Sequence, residues 1–365
     1  MSTDEHYMAR ALQLAERGLF TTDPNPRVGC VIVRNDTIVG EGWHQRAGEG
    51  HAEVNALQAA GTNAKDADAY VTLEPCSHFG RTPPCADSLI SSGVKRVFIA
   101  MTDPNPLVAG NGIKRLEQAG IEVTVGVLEQ QAKDLNPGFC QRMQSGRPYV
   151  RSKMAMSVDG RTAMASGESK WITGPAARQD VQKMRARSSA ILTGMGTVIA
   201  DDPALTVRPD GDWYPKGQNI RQPLRVVVGS QHIPPTAKLF ELEETVVLAT
   251  NKQLDSDVKE QLLHLAENNE QIDLNALMTE LANREINEVM VEAGSILNGA
   301  LLAAGLIDEI IIYMAPKLMG DSAKGLFHLP ALQTMAQNID LTITDIRAVG
   351  KDWRITATPE YTKVK

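Results

Sequence analysis

Two short motifs contain the side chains that are best suited to chemistry. HAE at residues 51–53 opens a helical pattern, and EPCSHFGRTPPC at residues 74–85 holds two cysteines that each follow a proline. Imidazole and thiolate are ligands that zinc prefers, and three of them leave a fourth position open to water, as catalytic zinc sites require. A nearby carboxylate can carry the proton of that water. The sequence therefore predicts a catalytic zinc site with ligands His51, Cys76 and Cys85 and with Glu53 as proton carrier.

Structural interpretations of the same residues compete with this one. A disulfide is disfavoured, because a chain of 365 residues with 4 cysteines and no apolar leader segment is typical of a cytoplasmic protein with reduced thiols. A histidine two residues before a glutamate is also common at a solvated helix start, and cysteines often fill cores. The other two cysteines, Cys30 and Cys140, have no ligand partners nearby in sequence and are expected in the core.

The predicted ligands require helices that begin at the right residues. HAEVNALQAAG predicts a helix that ends at Gly61, and a shorter helix is predicted from Cys85 to Ser92. Side chains at i and i+2 point ~200° apart on a regular helix, so His51 and Glu53 converge only if His51 is the non-helical N-cap. The positive end of a helix also favours thiolate over thiol.

The rest of the first half alternates strands with helices. Ser2 and Glu5 have the spacing of a capping box for an opening helix, and an Asn35-Asp36 turn predicts a hairpin between VGCVIV and TIVGEGWH. Further strands are predicted at AYVTLEP, VKRVFIAM and IEVTVGV, with the helix GIKRLEQAG before the last. This order predicts a sheet that helices cover on both faces.

Length and composition favour two domains that act on a small molecule. A chain of 365 residues with 42% hydrophobic residues is long enough for two cores. A polar stretch around residues 141–150 marks the boundary, which gives predicted domains 1–146 and 147–365. A net charge of −7 and an aromatic content of 4% offer little surface to a nucleic acid, and no apolar run is long enough to span a membrane.

The motifs resemble one branch of the cytidine-deaminase-like superfamily. Zinc deaminases carry H-x-E followed by P-C-x-x-C, whereas eight residues separate Cys76 from Cys85 in this chain. HAEVNAL with EPCSHFGRTPPC is similar to the deaminase half of the bacterial bifunctional deaminase/reductases of riboflavin biosynthesis. Three stretches of the second half, residues 149–173, 185–208 and 289–320, are similar to the reductase half. The resemblance implies an N-terminal three-layer α/β/α deaminase domain and a C-terminal α/β domain of the dihydrofolate-reductase type.

The resemblance also implies the residues that bind ligands. The expected NADPH contacts are Ala155, Trp171, Thr197, Asp201, Gly294, Ser295, Ile296, Leu297, Asn298, Gly299 and Ala300. The expected substrate contacts are Asn25 in the deaminase and Ser169, Arg185, Leu205, Arg208 and Glu292 in the reductase, with His44, His78 and Arg81 as weaker candidates. The residues themselves favour Ser295 as the cap of a helix that follows a strand, a place that suits a phosphate.

The implied activity has two steps in separate sites. The deaminase, with one zinc ion, would replace an amino group of 2,5-diamino-6-(5-phosphoribosylamino)pyrimidin-4-one by oxygen, and the reductase would use NADPH to convert the ribosyl group to ribityl. The expected protein is a cytoplasmic homo-oligomer that binds neither nucleic acid nor membrane. A nucleic-acid-editing deaminase and a binding protein stabilised by zinc are the alternatives, and turnover would separate them from the enzyme.

Two segments of the first half have nearly the same sequence. TDPNPRVG at residues 22–29 and TDPNPLVAG at residues 102–110 nearly repeat. Asp, Pro and Asn favour tight turns, so the simplest interpretation is a pair of similar bends. Asn25 is the asparagine of the two that is expected to bind substrate.

Overall fold

A computed structural model describes residues 2–77, 84–255, 258–268 and 271–361. The chain divides into two compact units, Met1–Arg147 (unit 1) and Pro148–Lys365 (unit 2). Among the described residues, every helix is too short or too polar to cross a bilayer.

Unit 1 opens with the helix that the capping box predicts. The Ser2 hydroxyl accepts the Glu5 N–H, and the Glu5 carboxylate accepts the Ser2 N–H in return. The helices are α1 (Thr3–Glu16), α2 (Ala52–Ala60), α3 (Cys85–Ser91), α4 (Asn111–Gln118), α5 (Glu129–Leu135) and α6 (Pro137–Ser145), with a short 3-10 turn at Gly61–Ala64. The strands are β1 (Gly29–Arg34), β2 (Thr37–Trp43), β3 (Asp68–Val71), β4 (Arg96–Ile99) and β5 (Glu122–Val125).

The sheet of unit 1 has five strands in the order β2-β1-β3-β4-β5. The strand β1 is antiparallel to β2 and β3, whereas β3, β4 and β5 run parallel. A Cβ on Gly29 would lie 2.0 Å from the Ala11 carbonyl of α1, and one on Gly42 would lie 2.4 Å from the Ala56 nitrogen of α2. Gly42 pairs with Cys30, the neighbour of Gly29, so α1 and α2 cover opposite faces. The predicted three-layer α/β/α arrangement is confirmed.

Local signals explain most of these elements, with two differences from the sequence prediction. Asn35 and Asp36 have φ of 50° and 58°, as the tight hairpin turn requires. The strand predicted at AYVTLEP ends at Val71, because the chain then leaves the sheet toward Cys76. The helices α5 and α6 were not predicted from the sequence, and they meet at Asn136, which precedes a proline in the first turn of α6.

Unit 2 is built on one large sheet. Its strands are β6 (Tyr149–Ser157), β7 (Arg161–Ala163), β8 (Ala190–Gly194), β9 (Leu224–Val228), β10 (Val246–Thr250), β11 (Gln261–His264), β12 (Glu267–Asn268), β13 (Gln271–Ile272), β14 (Glu288–Val291), β15 (Glu309–Ala315), β16 (Lys324–Gly325), β17 (Asp340–Val349) and β18 (Asp352–Glu360). Its helices are α7 (Pro175–Arg187), α8 (Met195–Asp201), α9 (Leu274–Asn283) and α10 (Ser295–Ala303), with 3-10 turns at Lys238–Phe240 and Met335–Gln337.

The large sheet has nine strands in the order β11-β10-β9-β8-β14-β6-β15-β18-β17. The strands from β11 to β15 are parallel to their neighbours, and β18 and β17 form an antiparallel hairpin at one edge. The carboxyl ends of the parallel strands therefore lie along one edge, which is where ligands bind in open α/β sheets. This mixed sheet agrees with the expected α/β reductase domain.

The predicted cap of α10 is wrong by one residue. The N-cap is Gly294, with φ −75° and ψ 177°, and Ser295 is already helical and does not cap through its side chain. The side-chain nitrogen of Asn298 donates to the carbonyls of Ala293 and Gly294, which ties the residues before the helix to its second turn but caps none of its N–H groups. The sequence therefore predicts α10 correctly. Its N-cap, however, is a glycine, so the first backbone N–H groups of the helix have no side-chain cap.

Candidate active sites

Unit 1 brings the three predicted ligands together. His51 is the extended N-cap of α2, as its spacing from Glu53 requires, and Cys85 is the first residue of α3. The His51 Nδ1 lies 3.1 Å from the Cys85 Sγ and 3.7 Å from the Cys76 Sγ, and the Cys85 N–H donates to the Cys76 Sγ over 3.3 Å. The three ligand atoms all lie within 4.8 Å of one another, and all four cysteines of the chain are free.

The electrostatics of this cluster favour one thiolate. The hydrogen bond from the Cys85 thiol, helped by the His51 imidazole, outweighs burial and lowers the pKa of Cys76 to about 4. The same bond and burial raise the pKa of Cys85, and the bond to Cys76 raises the pKa of His51. A thiolate held between a thiol and an imidazole is a donor set that suits a soft divalent metal.

Glu53 lies in the first turn of α2 beside this cluster. Its side chain is buried, with 3% of the residue exposed, and burial raises the pKa of its carboxyl to about 7. A carboxyl with a pKa near neutrality can both accept and release a proton. The geometry therefore places a suitable proton carrier next to the three donors.

Asn25 and His44 form a hydrogen-bonded chain beside His51. The Gly50 carbonyl lies 3.2 Å from the His44 Nδ1, so that nitrogen carries the proton and the Nε2 accepts from the Asn25 amide over 3.0 Å. The rings of His44 and His51 meet edge to face with centroids 5.4 Å apart, and burial lowers the pKa of His44. Two weaker candidates, His78 and Arg81, lie outside the described residues.

The loop at residues 102–110, which nearly repeats residues 22–29, is held by Glu74, a residue that the sequence patterns did not indicate. The carboxylate of Glu74 accepts the backbone N–H groups of Asp103, Gly110 and Gly112 at 2.8–3.1 Å, which ties the loop at residues 102–110 and the start of α4 to the segment before Cys76. The side chain of Asp103 accepts the Asn105 N–H, as in an ordinary Asx turn. In the sequence, the only sign of this role of Glu74 is its place directly before Pro75.

Unit 2 holds a cavity of about 1540 Å³ at the carboxyl edge of its sheet. Residues that follow β8, β9, β10 and β14 line it, among them Met195, Ser230, Asn251 and Glu292. Most of the predicted ligand contacts also line it, namely Ala155, Ser169, Trp171, Arg185, Thr197, Asp201, Leu205, Arg208, Gly294, Ser295, Ile296, Leu297 and Ala300. The structure thus gathers residues from distant parts of the sequence into one cavity.

Two predicted NADPH contacts, Asn298 and Gly299, do not line this cavity. Asn298 is fully buried, and its Oδ1 accepts the hydroxyl of Ser152 over 2.6 Å. A Cβ on Gly299 would lie 2.1 Å from the His328 carbonyl, so glycine is required there for close backbone packing. Asn298 therefore ties the start of α10 by hydrogen bonds, and Gly299 allows the chain at His328 to pack against the helix.

A buried charge group forms part of the cavity wall. Arg185 donates to both carboxylate oxygens of Glu292 at 2.6 and 3.0 Å, and the Lys153 Nζ lies 4.0 Å from the same carboxylate. The side chains of Lys153, Arg185 and Glu292 are 19%, 11% and 11% exposed. Burial lowers the pKa of Lys153, and for Glu292 the two cations outweigh burial and lower its pKa. One carboxylate therefore balances two buried cations.

The other cavity residues differ in how they are held. Ser169 donates to the Asp201 carboxylate over 3.0 Å, and Trp171 is 65% exposed with the Arg178 guanidinium over its ring. Leu205 has φ of 50° yet is buried. Arg208 is exposed, and among the described residues its guanidinium forms no ion pair, although its backbone N–H donates to Gln182. Arg208 is therefore free to meet an anion.

Asp159, two residues after the end of β6, has a structural role. Its carboxylate accepts the backbone N–H groups of Met319 and Gly320 at 2.8–3.1 Å, as well as the Ser157 hydroxyl. The Ser157 hydroxyl and these N–H groups lower its pKa to about 2. It fastens the loop after β15 and does not line the cavity.

Comparison with known proteins agrees with both sites. Residues 148–355 match the family model of the RibD C-terminal domain, and residues 1–101 match the zinc-binding region of cytidine and deoxycytidylate deaminases. The riboflavin biosynthesis protein RibD of Escherichia coli is 53% identical over 362 residues, which cover 96% of this chain and 97% of that protein.

Solved structures extend this likeness to the whole fold. RibD of Acinetobacter baumannii, form 1, is 47% identical with a TM-score of 0.92, covering 98% of this chain and 99% of that one. A diaminohydroxyphosphoribosylaminopyrimidine deaminase/5-amino-6-(5-phosphoribosylamino)uracil reductase of Thermotoga maritima is 32% identical with a TM-score of 0.85 over 98% and 99% of the chains. These matches confirm the resemblance that the motifs indicate. The chain belongs to the RibD family of riboflavin biosynthesis proteins, in which a deaminase domain and a reductase domain share one polypeptide.

Proposed function

We propose that the chain deaminates 2,5-diamino-6-(5-phosphoribosylamino)pyrimidin-4-one in unit 1 and reduces the ribosyl group of the resulting aminouracil to ribityl in unit 2. The observation that carries the proposal is the meeting of His51, Cys76 and Cys85 beside the buried Glu53, in a chain that also has a large cavity in its second unit. The family membership supports both reactions.

The donors in unit 1 fit one zinc ion. Two sulfurs and one imidazole nitrogen converge, and among the described residues this cluster has three members, the number of protein ligands that a catalytic zinc ion would use. When bound, zinc would supply Lewis-acid activation of a water molecule. The chain contributes the shape of the site, because the starts of α2 and α3 position His51 and Cys85.

Glu53 and Asn25 have separate tasks in this proposal. Glu53 accepts the proton of the attacking water and delivers it to the departing amino group, which its near-neutral pKa permits. The neutral His44 ring takes the Asn25 amide N–H, so the Asn25 Oδ1 faces away as a free acceptor for an N–H group of the pyrimidine. The deaminase site would therefore select a ring that presents a donor at that place.

The cavity in unit 2 fits NADPH and a phosphoribosyl compound together. The bare N-terminus of α10 borders the cavity through Gly294 and Ser295, and a Cβ on Gly294 would meet open space, which leaves room for a phosphate. The cofactor would supply a hydride to the ribosyl C1. Arg208 would take the substrate phosphate, because Arg185 is already paired with Glu292. The buried Lys153, Arg185 and Glu292 group would orient the sugar chain.

We further infer a homo-oligomer that works in the cytoplasm on a small molecule, without nucleic acid or membrane. The support for the cytoplasm is chemical: the cysteines of the cluster must stay reduced to hold a metal, and a reducing compartment keeps them reduced. The net charge of −7 does not favour binding to a polyanion.

Mass spectrometry of the diaminopyrimidinone phosphoriboside tests this function. With the zinc-loaded protein alone, we expect one amino group to be exchanged for oxygen, and with NADPH added we expect a further gain of two hydrogens. A gain of hydrogens without NADPH, or no change of mass in either tube with folded protein, would reject the proposal. An aminouracil supplied directly separates a failed first step from a failed second one.

A further inference from the structure

One part of the cavity wall in unit 2 has no regular secondary structure. Residues 169–174, here called the wall segment, lie within the described range 84–255 between β7 and α7, and residues 169–173 all line the cavity. Two of the expected ligand contacts, Ser169 and Trp171, belong to it. A segment without a helix or a strand has no ladder of main-chain hydrogen bonds, so the groups that contact it set its position.

Several of the contacts that hold the wall segment are open to water. The Lys170 Nζ donates to the Asp201 carbonyl and the Lys317 Nζ donates to the Trp171 carbonyl, each over 2.6 Å, and both bonds are exposed. The bond from the Ser169 hydroxyl to Asp201 is only part-buried. Because water competes for exposed donors and acceptors, such bonds contribute little net stability.

The bond between the wall segment and Asp352 differs from these, because it is buried. The Gly174 N–H donates to the Asp352 Oδ2 over 2.6 Å, and Asp352 is 1% exposed. The Oδ1 of the same carboxylate is also buried and accepts no hydrogen bond from the part of the chain that the structure describes. A hydrogen bond to a carboxylate is stronger than one between neutral groups, and burial excludes the competing water. This bond should therefore contribute most to the position of the wall segment.

The same carboxylate lies at the N-terminus of α7. Gly174 is the N-cap of this helix and offers no side-chain cap of its own. The negative charge of Asp352 therefore faces the positive end of the α7 dipole, which is a favourable interaction. Because Arg178, Gln182 and Arg185 of α7 line the cavity, the place where this helix begins also shapes the site.

The turn between β17 and β18 brings Asp352 to this place. Val349 pairs with Asp352, so Gly350 and Lys351 form a two-residue turn. Gly350 has φ of 64°, and a Cβ on it would lie 2.8 Å from the Ala176 Cβ of α7. Glycine is required there for both reasons, so that the turn can pack directly on the start of α7. The strand β18 pairs with β15 as well as with β17, so Asp352 is anchored in the large sheet.

We propose that Asp352 is a positioning residue of the reductase, which holds the wall segment and the start of α7 in the arrangement that lines the cavity. The described lining does not include Asp352, so it acts through Ser169 and Trp171 and not by contact with a ligand. Without the bond, the wall segment would adopt this arrangement for only a fraction of the time, and the apparent affinity for both ligands would fall by that fraction. This role rests on the reduction proposed above.

Steady-state reduction of aminouracil supplied directly tests this role. Asp352→Ala removes the acceptor of the Gly174 N–H, so the KM for NADPH and the KM for aminouracil should each rise about tenfold. The kcat should change less than about twofold, because saturating ligands restore the lining arrangement. A variant that is merely destabilised would contain fewer active molecules, which lowers kcat and leaves both KM values unchanged.

Asp352→Asn covers the case in which the alanine variant does not fold. The amide has nearly the shape of the carboxylate and can still accept the Gly174 N–H, but without the charge, so both KM values should rise about threefold. Asp308→Asn is the matched control. The Asp308 carboxylate accepts the Val150 N–H over 2.8 Å before β15, at the amino edge of the same sheet, and this change should leave both KM values unaltered.

The possible outcomes separate this role from the proposed reaction. Wild-type protein that reduces no aminouracil would reject the reaction and the role together. Wild-type reduction with unchanged KM values in Asp352→Asn would reject the role alone, whether or not the alanine variant folds. A loss of kcat at constant KM in the Asp352 variants, or an equal rise of KM in Asp308→Asn, would also reject it.

Discussion

The two candidate sites concentrate their chemistry to different degrees. In unit 1, three ligand atoms lie within 4.8 Å of one another and sit at two helix starts and in the segment before α3. In unit 2, a cavity of about 1540 Å³ collects residues from several strand ends and from α7, α8 and α10. The activity of a compact site depends on each of its few ligand atoms, whereas binding in a large cavity is distributed over many contacts. Single changes should therefore be more severe in unit 1.

Metal removal should give the largest effect and the clearest separation of the units. In the proposed reaction zinc would activate the attacking water, so after chelation deamination should fall below detection and return when zinc is added. Reduction of aminouracil supplied directly should keep its wild-type rate, because the described lining of the cavity in unit 2 includes none of the three donors. The measurement is metal content beside both rates. Parallel loss of reduction in folded protein would contradict the separation.

Glu53→Gln should give the next largest effect, again in one unit only. The amide keeps the size and burial of the carboxyl but cannot carry a proton, so deamination should fall by about 10²–10⁴-fold. Zinc content should stay at one ion per chain, since the three donors are untouched. Comparing the two rates with zinc analysis separates a lost proton carrier from a lost metal. A variant that lost its zinc would show that Glu53 supports the ligands instead.

The compact site is also the one that the sequence predicts best. The spacing of His51 and Glu53 fixes the histidine at the helix cap, and the structure has it there. Capping boxes, turn residues and alternation of strands with helices are local signals, which explains why α1, the hairpin and the three-layer order are recovered. Glu74 was missed, because nothing local connects it with a loop almost thirty residues later.

The cavity of unit 2 is harder to derive from sequence. Lys153, Arg185 and Glu292 come from three distant segments, and only the parallel sheet brings them together. Residue patterns predict α10 but not its first residue, because Ser295 and Gly294 both suit a cap and no local signal separates them. The family resemblance supplies the list of expected contacts, and the fold shows which of them reach the cavity.

Glu292→Gln tests whether the cavity nevertheless has one critical contact. The change leaves Arg185 and Lys153 as two buried cations without a counter-charge, which should cost about 3 kcal/mol of stability. Reduction should fall about a hundredfold, since the sugar chain would lose its fixed orientation, while deamination should stay the same. Chemical denaturation and the two separate rates are the measurements.

Glu41→Gln provides a matched control for that variant. Arg10 donates to both oxygens of Glu41 at 2.6 and 2.9 Å, nearly the geometry of Arg185 with Glu292, but the two side chains are 34% and 32% exposed. Water screens such a pair, so its loss should cost less than about 1 kcal/mol and change neither rate. Equal costs for the two variants would show that burial does not set the strength of the Glu292 contact.

The smallest expected effect separates the helix starts of the two units. Ser2 caps α1 with its hydroxyl, so Ser2→Ala should cost about 1 kcal/mol of unit 1 stability. Ser295 lies one residue inside α10 and does not cap it, so Ser295→Ala should cost less than about 0.5 kcal/mol. Thermal unfolding of both variants is the measurement. A cost at Ser295 as large as at Ser2 would mean that its hydroxyl caps α10 in solution. The N-terminus of α10 would then be capped by a side chain, as that of α1 is, and its backbone N–H groups would not be free to bind a phosphate.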